Sequence, residues 1–231
     1  MNYIFTQNHF TDNWPFIVSL NWYSEDHQRY IHQCGGSIIN KHQILSAAHC
    51  FRPPKNKIKD WIIIAGKTDI YNPELHGLGR NRDAVGLLPH VYLPKEIIKH
   101  GGYRHIGFVN DIAIVNLKRP LRFGGNINPI KLAFRPPKES ENCSVAGWGA
   151  IDKDTSNPQA YPFRLHETKV PIRDFDKCRA NYFLYKAKEY KISKLRQKEL
   201  VNATDLFFWV QARQNICAGS GKTDSCAVSF S

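Results

Sequence analysis

A histidine in the stretch CGGSIINKHQILSAAHC, residues 34–50, is the first residue in this chain whose surroundings suit chemistry. His49 sits between small residues and a cysteine, behind a Gly-Gly pair that lets backbone pass closely. A bond between the flanking Cys34 and Cys50 would close a tight loop beneath it, worth roughly 3 kcal/mol in the chain-entropy account. A general base profits from a platform held that firmly. Sixty residues on, NDIAIVNL places Asp111 at the mouth of an apolar run. A carboxylate there needs a partner, because burying it alone is costly. It either caps a turn or accepts a hydrogen bond from the His49 imidazole and sets its tautomer.

The elements that must position these two residues read as short strands. Runs rich in Val, Ile and aromatics recur at Phe16–Trp22, Ser37–Ile39, Ile44–Ser46, Trp61–Ala65, Val91–Ile98, Asp111–Leu117, Cys143–Ala146 and Arg164–Ile172, with Gly, Pro and Asn between them. Many short strands with frequent turn signals indicate a β-sandwich or barrel. Lys118–Lys138, with four prolines, reads as a connector between two halves. One segment differs. Residues 186–208, KAKEYKISKLRQKELVNATDLFF, space Ile192, Leu195, Leu200 and Val201 near a helical period among many cations. This predicts a basic amphipathic helical insertion, either a solvated face or a polyanion contact through Lys191, Lys194, Arg196 and Lys198.

Composition narrows the class. With 231 residues, 42% hydrophobic and 23% charged, the chain can bury a core and is not disordered. No apolar run is long enough to span a membrane. Six cysteines (Cys34, Cys50, Cys143, Cys178, Cys217, Cys226) show no CxxC pair and no zinc spacing, so disulfides and an oxidising, extracellular compartment are expected. The opening residues lack the features of a signal peptide. The loop GKTDIYNPELHGLGRNRD, residues 66–83, offers no convincing set of carboxylates for calcium, and neither metal nor cofactor is expected. The net charge of +12 fits a polyanion partner or simply a basic secreted protein, with no specific nucleic-acid signal. Asn142-Cys-Ser and Asn202-Ala-Thr are glycosylation sequons.

SAAHC, NDIAIVNL, CSVAGWG at 143–149 and NICAG at 215–219 follow one another as they do in the trypsin/chymotrypsin serine proteases, and WPFIVSL resembles that family's first strand. The resemblance implies two packed six-stranded antiparallel β-barrels: residues 1–122 forming the first, 123–231 a connector and an incomplete second. It makes His49 the general base and Asp111 its orienting carboxylate. Asp224 in KTDSC then matches the base of the primary pocket and implies selection of Arg or Lys by charge-assisted hydrogen bonding. The family pattern pairs Cys34 with Cys50 and Cys178 with Cys217. It leaves Cys143 and Cys226 unpaired, because their usual partners follow the nucleophile. Protein substrates or inhibitors are the implied partners.

The likeness breaks after Cys226. Where the family reads Gln-Gly-Asp-Ser-Gly-Gly-Pro, this chain reads Ala227-Val228-Ser229-Phe230-Ser231. Phe230 stands at the nucleophile, Val228 at a glycine whose N–H binds the oxyanion, and Ser229 at the aspartate that pairs with a freed amino terminus. Ile4-Phe5-Thr6-Gln7 is the nearest counterpart of that terminus, and no Arg or Lys precedes it. The expectation is a peptidase domain that is inactive as written, truncated before its nucleophile. Val228-Ser229 is encodable as GTAAGT, a splice-donor sequence, so a retained intron would account for the tail. The alternative is a pseudoprotease that acts as a binding protein.

Overall fold

The computed structural model describes residues 13–105, 108–152 and 160–174, with 154, 157, 176, 216 and 218 as single positions. Its elements are β1 (Ile17–Ser24), β2 (Arg29–Asn40), β3 (Gln43–Ser46), β4 (Trp61–Ala65), α1 (Pro73–Leu78), α2 (Arg82–Leu87), β5 (Val91–Tyr92), β6 (Pro94–Lys99), β7 (Ala113–Leu117), β8 (Asn142–Gly147) and β9 (His166–Pro171). Seven strands form one antiparallel sheet in the order β5-β4-β1-β2-β3-β7-β6. Its two margins, β5 and β6, are one stretch of chain interrupted only at Leu93. The sheet therefore curls until its margins meet, a barrel of six chain stretches. The fold is built mostly of strands, as the all-β expectation requires.

The strand sequences explain the two layers of packing. In β4, the run WIIIA is buried throughout. Trp61, Ile63 and Ala65 join Val18, Leu20, Ile38, Ile44, Val115 and Leu117 in one core cluster. Ile62 and Ile64 belong to another, with Leu75 of α1, Val85 of α2 and Trp148. A strand covered on both faces needs no polar alternation, which is why Trp61–Ala65 reads as a continuous apolar run. The two helices arise in the stretch that the sequence presents as a loop. The Asn72 carboxamide oxygen accepts from Glu74 N at 3.2 Å, with Pro73 starting α1, and Asn81 caps α2 through Ala84 N at 3.2 Å. Each helix has six residues, too short for a helical period to show.

Strand β2 also runs further than its apolar portion, because Arg29–Gly36 pairs with β1 through backbone bonds that any side chain permits. Leu121 and Ile127 from the connector reach into the barrel core. Asn128 N donates to Pro15 O and Ile130 N to Ile38 O, each at 2.9 Å, which straps the connector to the barrel. Beyond it, β8 and β9 pair over Asn142–Gly147 and His166–Pro171. The Trp148 indole donates to Thr68 O at 2.9 Å, and Leu165 N to the same oxygen at 2.8 Å, so the second half is sewn to the first. The predicted helical insertion at 186–208 lies outside the described residues.

Gly36 is required by close approach. A methyl group placed there would lie 2.7 Å from Ile44 Cγ2 and 2.9 Å from Leu20 Cδ1, both in the barrel core. Gly36→Ala is expected to lower the unfolding free energy by about 1–3 kcal/mol through overpacking, read by denaturant unfolding. A Gly35→Ala control, where no atom lies within 4 Å of the added carbon, should cost clearly less.

Candidate active site

His49 lies in the short 3₁₀ turn Ala48–Phe51 that follows β3. Ala48 is fully buried beneath it, and Phe51 packs edge-on against Trp61 at 4.9 Å between ring centres. The small residues of SAAHC let this turn lie flat on the core. Cys50 is bonded to Cys34 of β2, with Cα atoms 6.4 Å apart. The turn is thus tied to the sheet on both sides of the imidazole.

Asp111 precedes β7, the strand paired with β3 in the register Ser46↔Ala113. That register brings His49 and Asp111 together. Oδ1 of Asp111 accepts the His49 backbone N–H at 2.7 Å, and Oδ2 meets Nδ1 at 2.7 Å. The Asp111 side chain is 7% exposed, whereas that of His49 is 27% exposed and so reaches solvent. A carboxylate only accepts, so Nδ1 carries the proton and Nε2 presents its lone pair. Burial, and then the Asp111 carboxylate, push the Tyr103 hydroxyl up from its ordinary value. The turn case and the imidazole case hold at once, since one carboxylate serves both.

Three neighbours carried no sequence signal. Phe108 meets the His49 ring edge-on at 5.6 Å and is 46% exposed. His105 packs edge-on against Phe108, and Arg52 bonds both the His105 ring and, through Nε at 3.2 Å, the His49 carbonyl. Only the fold sets these side chains around the imidazole. Cys34, His49 and Cys50 place their ligand atoms within 4.8 Å of one another. The disulfide occupies both sulfurs, so this trio offers a cation one nitrogen. Cys143, on β8, is a free thiol of intermediate burial, and Asn142 beside it is exposed. Asp224, Phe230, Cys178, Cys217, Cys226, Asn202 and the basic residues Lys191, Lys194, Arg196 and Lys198 lie outside the described residues.

A family model described as Trypsin matches residues 3–227. The chain belongs to the trypsin family. Serine protease 28 of Mus musculus is 30% identical over 185 residues, 77% of this chain and 60% of that protein. The thrombin-like enzyme elegaxobin-1 of Protobothrops elegans is 30% identical over 168 residues, 73% of this chain and 60% of that protein. The chain thus spans 60% of the length of these curated relatives. The solved structure of GrC superposes with a TM-score of 0.64 at 18% identity, covering 94% of this chain and 75% of that one, a likeness of fold.

This trypsin-family chain also holds a second histidine that sequence reading passed over. Ser19 and Asn21 are buried on β1; the Asn21 amide donates to Ser19 Oγ at 2.9 Å, which lies 2.7 Å from His32 Nδ1. His32 packs on the Trp148 ring at 5.6 Å. Ser19 and Trp148 are neutral neighbours and supply no counter-charge to a protonated ring. Burial pushes His32 down from 6.5 to about 4.

Two outcomes follow from this geometry. Asp111→Ala leaves the His49 backbone and ring N–H groups without the acceptor they share, and should cost about 1–3 kcal/mol in denaturant unfolding. For His32, the unfolded chain takes up a proton that the folded chain refuses. Stability is therefore full above pH 6.5 and falls as pH drops towards 4, by about 3 kcal/mol at most. The comparison is the unfolding free energy across that window with and without His32→Gln, which should flatten the slope.

Proposed function

We propose that this chain carries the base-and-carboxylate half of a serine endopeptidase site, with His49 the general base and Asp111 its orienting carboxylate. The observation that carries this is the two-point clasp of 2.7 Å bonds from His49 to Asp111. One bond fixes where the turn sits, and the other fixes which ring nitrogen is basic. Membership of the trypsin family and 30% identity to Serine protease 28 support the same reading. Asp224 is the proposed selector of Arg or Lys side chains, and Cys178–Cys217 the proposed second disulfide. The proposed division is a first barrel over 1–122, then a connector and second barrel over 123–231. An extracellular setting is supported by the Cys34–Cys50 bond.

A polypeptide of this sequence hydrolyses no peptide bond in this proposal. Phe230 stands four residues after Cys226, where the family presents its serine, and the family match runs only to residue 227. A phenyl ring has no lone pair to add to a carbonyl. Loss of a serine nucleophile costs on the order of 10⁶ in rate. The second reading, a non-catalytic homologue that binds a protein or polyanion, is supported by a first barrel whose strands and core are well packed.

The test uses Arg- and Lys-amide substrates with a serine-directed phosphonate. No release above buffer and no adduct mass are expected. Turnover abolished by His49→Ala, or a phosphonate adduct on any serine, overturns the inactivity. A monomeric chain that unfolds in one cooperative transition supports the binding-protein reading over the broken-product one.

A further inference from the structure

The barrel end opposite His49 and Asp111 gathers cations that form no ion pair among the described residues. There the β2–β3 turn, the start of β6 and the chain leaving β7 meet. Leu117 N donates to His42 O at 2.8 Å, Leu121 N to Lys41 O at 2.8 Å and Lys118 N to Leu93 O at 2.9 Å. Lys41, Lys95, Lys118, Arg119 and Arg122 are all exposed on these three segments. Within residues 40–43, 93–96 and 116–123 the only carboxylate is Glu96, which accepts from the Asn116 amide at 2.9 Å.

Two of these cations are ordered by neutral groups, as Lys55 over the Trp22 ring and Arg82 on the Trp61 carbonyl are elsewhere. Arg80, Arg135 and Arg164 each face a carboxylate and are thereby neutralised. Arg119 is pinned by neutral groups instead: its guanidinium lies 4.5 Å over the Tyr92 ring and donates to Val91 O at 2.8 Å. Lys41 Nζ lies 5.9 Å over the Phe123 ring. A ring or a carbonyl orders a cation without cancelling it, so less freedom is lost when an anion arrives. Among the described residues, none of the five makes an ion pair.

We propose that this pole binds a sulfated polysaccharide. The charges stand exposed on strand ends and a strapped connector, an array suited to an extended polyanion. The Cys34–Cys50 bond fits an oxidising compartment. There, anionic lipid leaflets and nucleic acid, both characteristic of the cell interior, are not the usual polyanion. Strand β7 separates the pole from Asp111 by about 20 Å at the usual rise per residue, so an occupant leaves His49 uncovered. The inference is independent of whether His49 acts as a base, and of the basic segment 186–208.

The probe is a heparin oligosaccharide of defined length, with the whole chain titrated at several salt concentrations. The triple variant Lys41→Gln, Lys118→Gln, Arg122→Gln keeps the pinned Arg119. It is expected to raise Kd at least tenfold, lower the slope of log affinity against log salt by about one per lost contact, and unfold at the wild-type denaturant midpoint. Fully desulfated heparin should bind neither protein. Unchanged affinity in the folded triple variant, with loss instead on neutralising Lys191, Lys194, Arg196 and Lys198, overturns the assignment. Tighter, uncompeted binding to phosphatidylserine vesicles or duplex RNA overturns it as well.

Discussion

One nine-residue stretch, 91–99, pairs with β4 through its first two residues and with β7 through the rest. That double duty brings the two margins of the seven-stranded sheet together and nearly closes it, leaving little edge to recruit a further strand. It also determines what lies beside what. With β6 fixed against β7, and β7 against β3, the turn after β3 and the loop before β7 emerge at the same end of the barrel. His49 and Asp111, 62 positions apart in the chain, have no other route to contact. The opposite ends of the same strands carry the cations of the proposed polyanion surface, so closure separates the two features as firmly as it assembles each.

The clasp at His49 shows why position and protonation are hard to separate. A carboxylate that is 7% exposed must have its oxygens satisfied, and a single residue satisfies both. The backbone bond holds the turn in place, while the ring bond fixes the tautomer. Cys34–Cys50 ties the same turn to β2, from which His32 faces the second half of the chain. The two histidines sit in contrasting settings. His49 has a charged acceptor and access to solvent, whereas His32 has a neutral hydroxyl and an indole. Burial without a counter-charge is what keeps His32 neutral well below the usual histidine range.

The structure brings together His49 and Asp111, the proposed base and its orienting carboxylate, while the resemblance sets Phe230 where the family has its hydroxyl. Under the proposed reading, in which a base and a carboxylate lack a nucleophile, what the surfaces bind is what is left for such a polypeptide to do. The unneutralised pole is the part of the described structure best suited to that.

Most of the first barrel was legible from residues alone. Apolar runs of three to eight residues with β-branched side chains mark all six of its strand stretches, and a buried carboxylate beside such a run announces that a partner exists. Identity of the partner needed the family likeness, because pairing across 62 residues depends on register, which no local pattern encodes. Arg29–Gly36 escaped notice because backbone pairing is indifferent to side chains, and α1 and α2 because six residues are too few for a period. Phe108, Arg52, His105 and the Ser19–His32 pair were invisible for a related reason: their roles come from neighbours distant in sequence. Residue types and short spacings thus determine which chemistry this chain can attempt. Only the closed sheet decides which of those residues meet, because contact across a barrel is set by strand order and register.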